Sequence, residues 1–522
     1  MINRHIRPDG THNEAQLIQE GSDAPYSTST PYSIEAGDTF SGSLSSSGDR
    51  DAIAIEMEAG KTYTISMEGY GSDAVSDTYL YLYSPSGQQV AEDDDGGSGR
   101  NSVIEYTATE SGTFYIGASS YNTSYSGDYT VSVTAEGDTD PVDPTDPVDP
   151  NAFTNDQIAD QLTDGYWESN GRSGRSFDVE AGDTITVNIN ALNSSGQYLA
   201  TEALNAWSMV TGINFQAVNG SAQITFDDSD SGAYSTSEVS GSTITSSFVN
   251  VSTSWLNSQG TTLDSYSFQT YVHEIGHAMG LGHAGNYNGS ADYGVDNHYS
   301  NDSWQGSVMS YFSQNENTAV DASYAYLATP MIADILAMQE LYGTATDLRI
   351  GNTVYGENST AGGYYDDIVD LNPAAYTIID NGGVDTIDYS SVRADQVISL
   401  EEETYSSVNG LTGNLAIARD TVIENAIAGS GDDILIGNAA DNILEGGSGS
   451  DTFVFNANAG DDEIVDFTDG LDFIEFESGA SSFADLTITD EGSDALISFD
   501  SGSILLTDVD AAVLGTNDFM FA

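Results

Sequence analysis

The sequence predicts a multidomain protein built from an N-terminal β-sandwich, a central α/β domain and a C-terminal parallel β-roll. Three observations point there. Residues 32–135 hold short β-forming runs separated by glycine turns. Residues 153–343 mix such runs with segments whose apolar residues recur at helical spacing. Residues 344–522 are rich in glycine and aspartate and carry nine-residue repeats. A chain of 522 residues has room for about three domains.

Composition narrows the partners. The 82 acidic residues outnumber the 10 basic ones, for a net charge of -72. Such a surface repels nucleic acid and anionic membranes, attracts calcium and stays soluble in salt. There is no cysteine, so metal ions and not disulfides are the expected staples. The same absence removes any thiolate that could cap a metal in a latent form. The first 25 residues hold no apolar run of the kind a cleavable secretory signal needs. No stretch is apolar for long enough to span a membrane, so membrane insertion is not expected.

Residues 1–31 are polar and aperiodic and read as a flexible tail or pro-segment, with His5 and His12 solvated. Within 32–135, Asp51–Ile55, Tyr63–Met67, Tyr79–Tyr83, Phe114–Ile116 and Tyr129–Val133 read as strands, spaced as in a sandwich. The stretches AGKTYTISM, DTYLYLYSPSG, SGTFYIGA and SGDYTVSV resemble the pre-peptidase C-terminal domain that accompanies many secreted proteases. That resemblance implies a module that binds substrate or surfaces, or assists folding. Asp93–Asp95 could hold calcium but reads first as an ordinary acidic loop. Residues 136–152, around GDTDPVDPTDPVDP, read as a semi-rigid linker in polyproline geometry.

In 153–343, helices are expected over Asp156–Trp167, Gln197–Thr211, from about Ser267, and over Pro330–Gly343. Strands are expected over Asp183–Ile189, Ile213–Val218, Ala222–Phe226 and Phe248–Val251. The third helix carries His273-Glu274-Ile275-Gly276-His277 and runs on to Gly280 and His283. Histidines four apart share one helix face. Gly280 permits the sharp turn that brings His283 back. Three imidazole nitrogens and an open fourth position suit a catalytic zinc ion. Zinc lowers the pKa of a bound water to about 7. Glu274 is placed to take that proton as general base. The bland reading is a solvated helix with three incidental imidazoles. It is weak in a chain with only six histidines, three of them in these eleven residues.

These motifs and the order of elements resemble the metzincin metalloproteases, and more narrowly the serralysin subfamily of secreted bacterial proteases. Ser307-Val308-Met309-Ser310-Tyr311 carries the rest of the match, and Pro330–Gly343 resembles the helix that closes the domain. The resemblance implies that Met309 packs under the histidines as a floor and not as a ligand. It implies that Tyr311 approaches the metal as an additional ligand and stabilises the oxyanion. It also implies an extended peptide substrate along an edge strand, for which Ser231–Ser240 is the candidate. Where the family often has proline, this chain has Ala284, which is expected to loosen the loop of residues 286–299. His298 in that loop reads as an exposed histidine or at most a substrate-side contact.

Beyond Thr344, three nonapeptides align: Ala428–Ile436, Gly437–Glu445 and Gly446–Val454. The third fits G-G-x-G-x-D-x-U-x throughout, and the middle one is degenerate, with Asn442 in place of aspartate. Alternate turns of a parallel roll stack, so turns one and three would share a calcium ion. Asp433 and Asp451 would give carboxylates, and Gly429, Gly431, Gly447 and Gly449 carbonyls. Leu435, Leu444 and Phe453 would point inward. Asn381–Thr386 resembles a further calcium turn of the family. Asn517–Ala522 resembles the uncleaved export signal of these proteins, which implies the type I secretion apparatus and an extracellular location. Calcium outside the cell would then drive folding.

The reading is a monomeric, secreted zinc endopeptidase acting on extracellular proteins or peptides. Its rival is a calcium-stabilised adhesive or structural protein with an inactive protease fold. The intact Glu274 argues against the rival, since an inert site has no need of a base.

Overall fold

A computed structural model describes residues 151–521, except 372, 457–458 and 500–501, and much of the chain before them. Outside the described set are 1–3, 7–11, 15–16, 20–23, 28–29, 35–38, 47, 58–60, 70–73, 95, 97–99, 110, 122–125, 136–150 and 522. The chain divides into two compact units, Met1–Pro147 and Val148–Ala522.

The first unit is a sandwich of two five-stranded sheets. One sheet runs in the order Ser102–Thr107, Thr62–Gly69, Gly127–Ala135, Thr39–Leu44, Leu17–Gln19. The other runs Ser33–Ile34, Asp51–Met57, Gly112–Ser120, Thr78–Tyr83, Gln89–Asp93. Alternation places Ile53, Ile55, Ile65, Met67, Leu80, Leu82, Ile116 and Val131 in the core between the sheets. The outward partners on Thr78–Tyr83 are Tyr79, Tyr81 and Tyr83, which form a half-buried column of rings.

Residues 1–31 are not a tail throughout. Leu17–Gln19 pairs in parallel with Thr39–Ser41, and Ile18 packs against the sandwich core. Arg4–Ile6 and His12–Glu14 form a two-stranded sheet of their own. Two adjacent apolar residues are too short a run to show a period, so only the pairing reveals the strand. The side chains of His5 and His12, and the linker 136–150, lie outside the described part. In the acidic turn, where Asp95 lies outside the described residues, Asp93 accepts the amides of Gly96 and Val103 at 2.8 and 2.9 Å.

The second unit opens with a helical segment in three parts: α1 (Asn155–Asp160), a π-turn (Gln161–Gly165) and α2 (Tyr166–Ser169). A five-stranded sheet follows, made of β1 (Thr184–Asn188), β2 (Asn214–Ala217), β3 (Ile224–Asp227), β4 (Ala233–Ser240) and β5 (Thr243–Val251). Its order is β2-β1-β3-β5-β4, parallel except for β4. The stretch expected to hold substrate is therefore the antiparallel edge strand. Helix α3 (Ser194–Thr211) starts at Asn193, whose side chain accepts the amides of Ser195 and Gly196, and ends at Gly212 in the left-handed region. Trp207 of α3 donates its indole hydrogen to the Val272 carbonyl at 2.9 Å, tying α3 to the later helix that bears the histidines. The short helix α4 (Thr253–Gln259) leads into that helix, α5 (Tyr266–Met279), and α6 (Ile332–Tyr342) closes this part.

Residues 344–521 coil into short, mainly parallel strands that build an eight-stranded and a five-stranded sheet and add three strands to Tyr326–Leu327 in a four-stranded one. Ile434–Ile436 pairs with Thr452–Phe455, while Ile443–Glu445 lies in the other sheet between Asn425–Ile427 and Gly460–Ile464. Turns one and three are thus direct neighbours and the degenerate turn faces away from them. Leu435, Leu444 and Phe453 are fully buried between the sheets. The parallel stack ends in an antiparallel set, Thr487–Asp490, Ala495–Phe499 and Gly502–Leu506. Phe519–Phe521 adds in parallel to Phe473–Phe476, so the C-terminal segment is a strand of this roll. The segments 153–343 and 344–522, expected as separate domains, share one compact unit and one continuous core from Ile158 to Phe519.

Candidate metal centre

Helix α5 begins at Ser265, whose hydroxyl accepts the Phe268 amide, and stops at Gly280 with φ of 120°. A Cβ on Gly280 would meet the Arg175 carbonyl at 2.1 Å, so the turn requires glycine on two counts. Gly282 then donates its amide to the Leu162 carbonyl at 2.7 Å, and Trp167 donates its indole hydrogen to the Gly280 carbonyl at 2.9 Å. The N-terminal helical segment therefore sets the path along which His283 returns.

The three histidines converge. Ring nitrogens of His273, His277 and His283 all lie within 4.8 Å of one another. Among the described residues this is the one group of three or more His, Cys, Asp or Glu close enough to share an ion. His273 Nδ1 lies 2.8 Å from the Val308 carbonyl, and His277 Nδ1 2.8 Å from the Leu281 carbonyl. A carbonyl only accepts, so each Nδ1 carries the hydrogen and each Nε2 presents a lone pair. His277 Nε2 sits 3.0 Å from His283 Nε2. Burial keeps the rings neutral: it takes His273 down to about 4, His277 down to about 3, and His283 well below its ordinary value. Neutral, convergent imidazole lone pairs are a donor set that fits zinc.

Glu274 is buried beside them, and its Oε2 has no partner among the described residues. Burial alone pushes its carboxyl up to about 8. Met309 is fully buried, and its sulfur lies 2.7 Å from where a Cβ on Gly276 would stand. Room for the Met309 sulfur thus depends on the glycine inside the histidine helix. The Tyr311 ring is 4.6 Å from that of His283 and 6.1 Å from that of His273. Its hydroxyl accepts the Gly289 amide at 3.3 Å, so the phenol is held by the loop after the third histidine. Ala284 donates its amide to the Met309 carbonyl at 3.2 Å, a bond proline could not make. The residue expected to loosen the loop instead ties its start to the turn under the site. His298 is exposed, with its ring edge-on to Phe153 at 5.5 Å.

Sequence reasoning missed the groups behind these side chains. Asp334 of α6 is fully buried and accepts Ser307 Oγ at 2.6 Å and the amides of Val308 and Met331 at 2.8 Å each. Asp302, also buried, accepts Ser310 Oγ at 2.7 Å and the Tyr287 hydroxyl at 3.1 Å. A signal for Asp334 was present: a lone carboxylate inside Met331-Ile332-Ala333-Asp334-Ile335-Leu336 is buried, and a buried charge needs partners. Asp302 lies in a polar loop and carries no such mark.

A zinc-type histidine triad with a buried carboxylate, on a helix packed under a mixed sheet with an edge strand, defines a zinc metalloendopeptidase. Three family descriptions match the chain: Matrixin over residues 184–291, Peptidase M10 serralysin C terminal over 344–520, and Bacterial pre-peptidase C-terminal domain over 49–120. Metallopeptidase AprA of Pseudomonas marginalis is 33% identical over 425 residues, 71% of this chain and 88% of that protein. Serralysin of Photorhabdus luminescens is 38% identical over 267 residues, 49% of this chain and 55% of its own. Serralysin C of Dickeya chrysanthemi is 44% identical over 195 residues, 37% and 40% of the two chains. The chain belongs to the serralysin family of metalloproteases, with a pre-peptidase C-terminal domain at its N-terminal end.

Proposed function

We propose that this protein is an extracellular endopeptidase in which His273, His277 and His283 hold zinc and Glu274 is the general base. Bound there, zinc supplies Lewis acidity toward a water and a scissile carbonyl. Glu274 accepts the water proton and later delivers it to the leaving amine. The Nδ1–H bonds of His273 and His277 to backbone carbonyls keep both rings in the ligating tautomer. Tyr311, on leaving Gly289, is the donor for the oxyanion. Edge strand β4 offers backbone groups to an extended peptide, which explains recognition of protein substrates with little regard to sequence.

The observation that carries this reading is the unpartnered, buried Oε2 of Glu274 next to the triad. A structural protein gains nothing from an uncompensated buried carboxylate. The Glu274→Ala protein should retain zinc and lose hydrolysis of a denatured protein by about 100-fold or more. Equal activity in both proteins would end the protease reading and favour the adhesive one.

Calcium is proposed between turns one and three of the roll. Asp433 and Asp451 are buried there, stacked so that the Asp433 amide donates to Asp451 Oδ1 at 2.9 Å. A Cβ on Gly447 would lie 1.9 Å from the Gly429 carbonyl oxygen, and one on Gly449 1.9 Å from that of Gly431. The turns are thus in contact where carbonyls of Gly429, Gly431, Gly447 and Gly449 would supply the remaining oxygens. Export by the type I secretion apparatus, with folding outside in calcium, and action as a monomer complete the proposal.

A further inference from the structure

Behind Tyr311 lies a connected set of hydrogen bonds that the peptide-hydrolysis scheme does not use. At its base is Asp302, fully buried ahead of the turn that carries Met309. Its carboxylate accepts the Ser310 hydroxyl at 2.7 Å and the Tyr287 hydroxyl at 3.1 and 3.2 Å. An ionised carboxylate only accepts, so both hydroxyls give it their hydrogens and keep their lone pairs. The backbone takes those lone pairs. The Tyr287 hydroxyl oxygen accepts the Tyr311 amide at 3.3 Å, and Ser310 Oγ accepts the Phe312 amide at 3.1 Å. Residues 310, 311 and 312 thus all hang on one acid, directly or through a single hydroxyl.

Both members of the pair are anchored in turn. The Asp302 carbonyl accepts Nδ2 of Asn317 at 2.8 Å. The Tyr287 ring lies 5.3 Å from Phe312, 4.8 Å from Tyr311 and 5.7 Å from His283. Gly285 makes room for it, since a Cβ there would stand 2.4 Å from the ring. The far end of Tyr311 is held quite differently. Among the described residues its hydroxyl has one hydrogen bond, from the amide of Gly289 at 3.3 Å, and Gly289 is exposed. Tyr311 is therefore gripped at its backbone and loosely held at its phenol. A side chain held in this way can change rotamer while its Cα stays in place.

We propose that Asp302 and Tyr287 are positioning residues that fix the pivot of Tyr311, so that its hydroxyl moves from the Gly289 amide to the oxyanion along one defined arc. The inference rests on the endopeptidase reading with Tyr311 as oxyanion donor, and adds what aims that donor. Such a donor acts only at hydrogen-bond distance from the charge that develops, and a displacement of about 1 Å removes much of its effect. One long contact from an exposed glycine does not give that precision. A buried carboxylate tied to three consecutive residues does.

The test is steady-state hydrolysis of a denatured protein by the full-length zinc- and calcium-loaded chain, read as a double-mutant cycle. Tyr287→Phe removes the hydroxyl and keeps the ring. It should lower kcat about 10-fold, change KM by less than about twofold, and retain zinc against a competing chelator as wild type does. In a Tyr311→Phe background the same change should cost less than about twofold in kcat, because no phenol is left to aim. An equal loss in both backgrounds overturns the pivot and makes Tyr287 a structural neighbour of His283. Weaker zinc retention, a matching rise in KM or an undiminished kcat overturns it as well. Should Tyr287→Phe not fold, Asp302→Asn, which keeps an acceptor for Ser310, is held to the same criteria. If wild type is no more active than Glu274→Ala, the endopeptidase reading fails and takes the pivot with it. The other outcomes leave that reading standing.

Discussion

The carboxylate of Asp334 accepts the amide hydrogen of Val308 at 2.8 Å. The carbonyl of that same valine accepts the Nδ1 hydrogen of His273 at 2.8 Å. One residue, Val308, therefore separates a buried acid on the closing helix from an imidazole of the proposed zinc triad. Asp334→Ala leaves Val308, Met331 and Ser307 without their acceptor in a closed interior. The expected loss is about 3 kcal/mol of stability and about 10-fold or more in zinc affinity. Thermal unfolding and zinc transfer to a competing chelator read the two effects separately. Unaltered zinc retention would show that the link does not position His273.

Among the described residues the Tyr311 hydroxyl makes one hydrogen bond, the long contact from Gly289, so its proposed role as oxyanion donor carries little structural burden. Tyr311→Phe should therefore fold and bind zinc as wild type does, and lose about 100-fold in kcat with little change in KM. A matching rise in KM would place the phenol in ground-state binding instead.

Burial pushes the carboxyl of Asp334 up to about 6 and that of Asp462 in the roll up to about 7. An unfolded aspartate titrates near 3.9. Between these values the two carboxyls bind more protons in the folded than in the unfolded chain, so their contribution to stability falls as pH rises through about 4 to 7, while that of the three buried histidines rises over the acidic part of the range. In chelator the melting temperature of the protein should be higher at pH 5 than at pH 8. Asp462→Asn keeps an acceptor for the Asn442 amide, now 2.8 Å from Asp462, and removes the charge. It should lessen the slope, and a slope as steep as wild type would exonerate this carboxylate.

Arg419 holds Asp156 through two bonds of 2.7 and 2.9 Å and Glu403 through two of 2.9 Å. It thereby joins α1 to the roll in a chain with only ten basic residues. Asp156 is largely exposed, so solvent screens part of the pair. Arg419→Ala should cost about 1 kcal/mol at low salt. The gap from wild type should close in 1 M salt, where the screening length is about 3 Å. A gap indifferent to salt would mean that lost packing, not charge, explains the cost.

Gly447→Ala places a methyl group against the Gly429 carbonyl at a residue whose φ is 93°. The turns must separate, at a cost on the order of 3 kcal/mol or more. Gly470 has a similar φ of 75° but open space around it, so Gly470→Ala should cost only about 1 kcal/mol. Calcium-dependent unfolding of both variants decides whether contact between turns, and not backbone freedom alone, demands the glycine.

Much of the site was legible along the chain. The i, i+4 histidines and the glycine before the third one are local patterns, and helix geometry converts them directly into position. The nonapeptide period likewise foretold which turns would stack. Other features had no sequence mark. Leu17–Gln19 became a strand because a partner edge was free beside it. Ala284 tightened a loop because its amide met the Met309 carbonyl. Both depend on what chain folding brings alongside.

The sequence by itself determined the ligand triad, the base beside it, the methionine-tyrosine turn and the repeat of the roll. In each of these the chemistry is set by residue type and short spacing. Only the tertiary structure decided that Asp334 stands one residue, Val308, behind His273, that Gly276 makes room for Met309, and that Trp255, Tyr266, Trp304, Tyr324 and Tyr326 meet in one cluster. Those partners come from up to 71 residues apart in sequence (Trp255 to Tyr326). Contacts at that range follow from how helices and loops pack to exclude water, and no local periodicity encodes them.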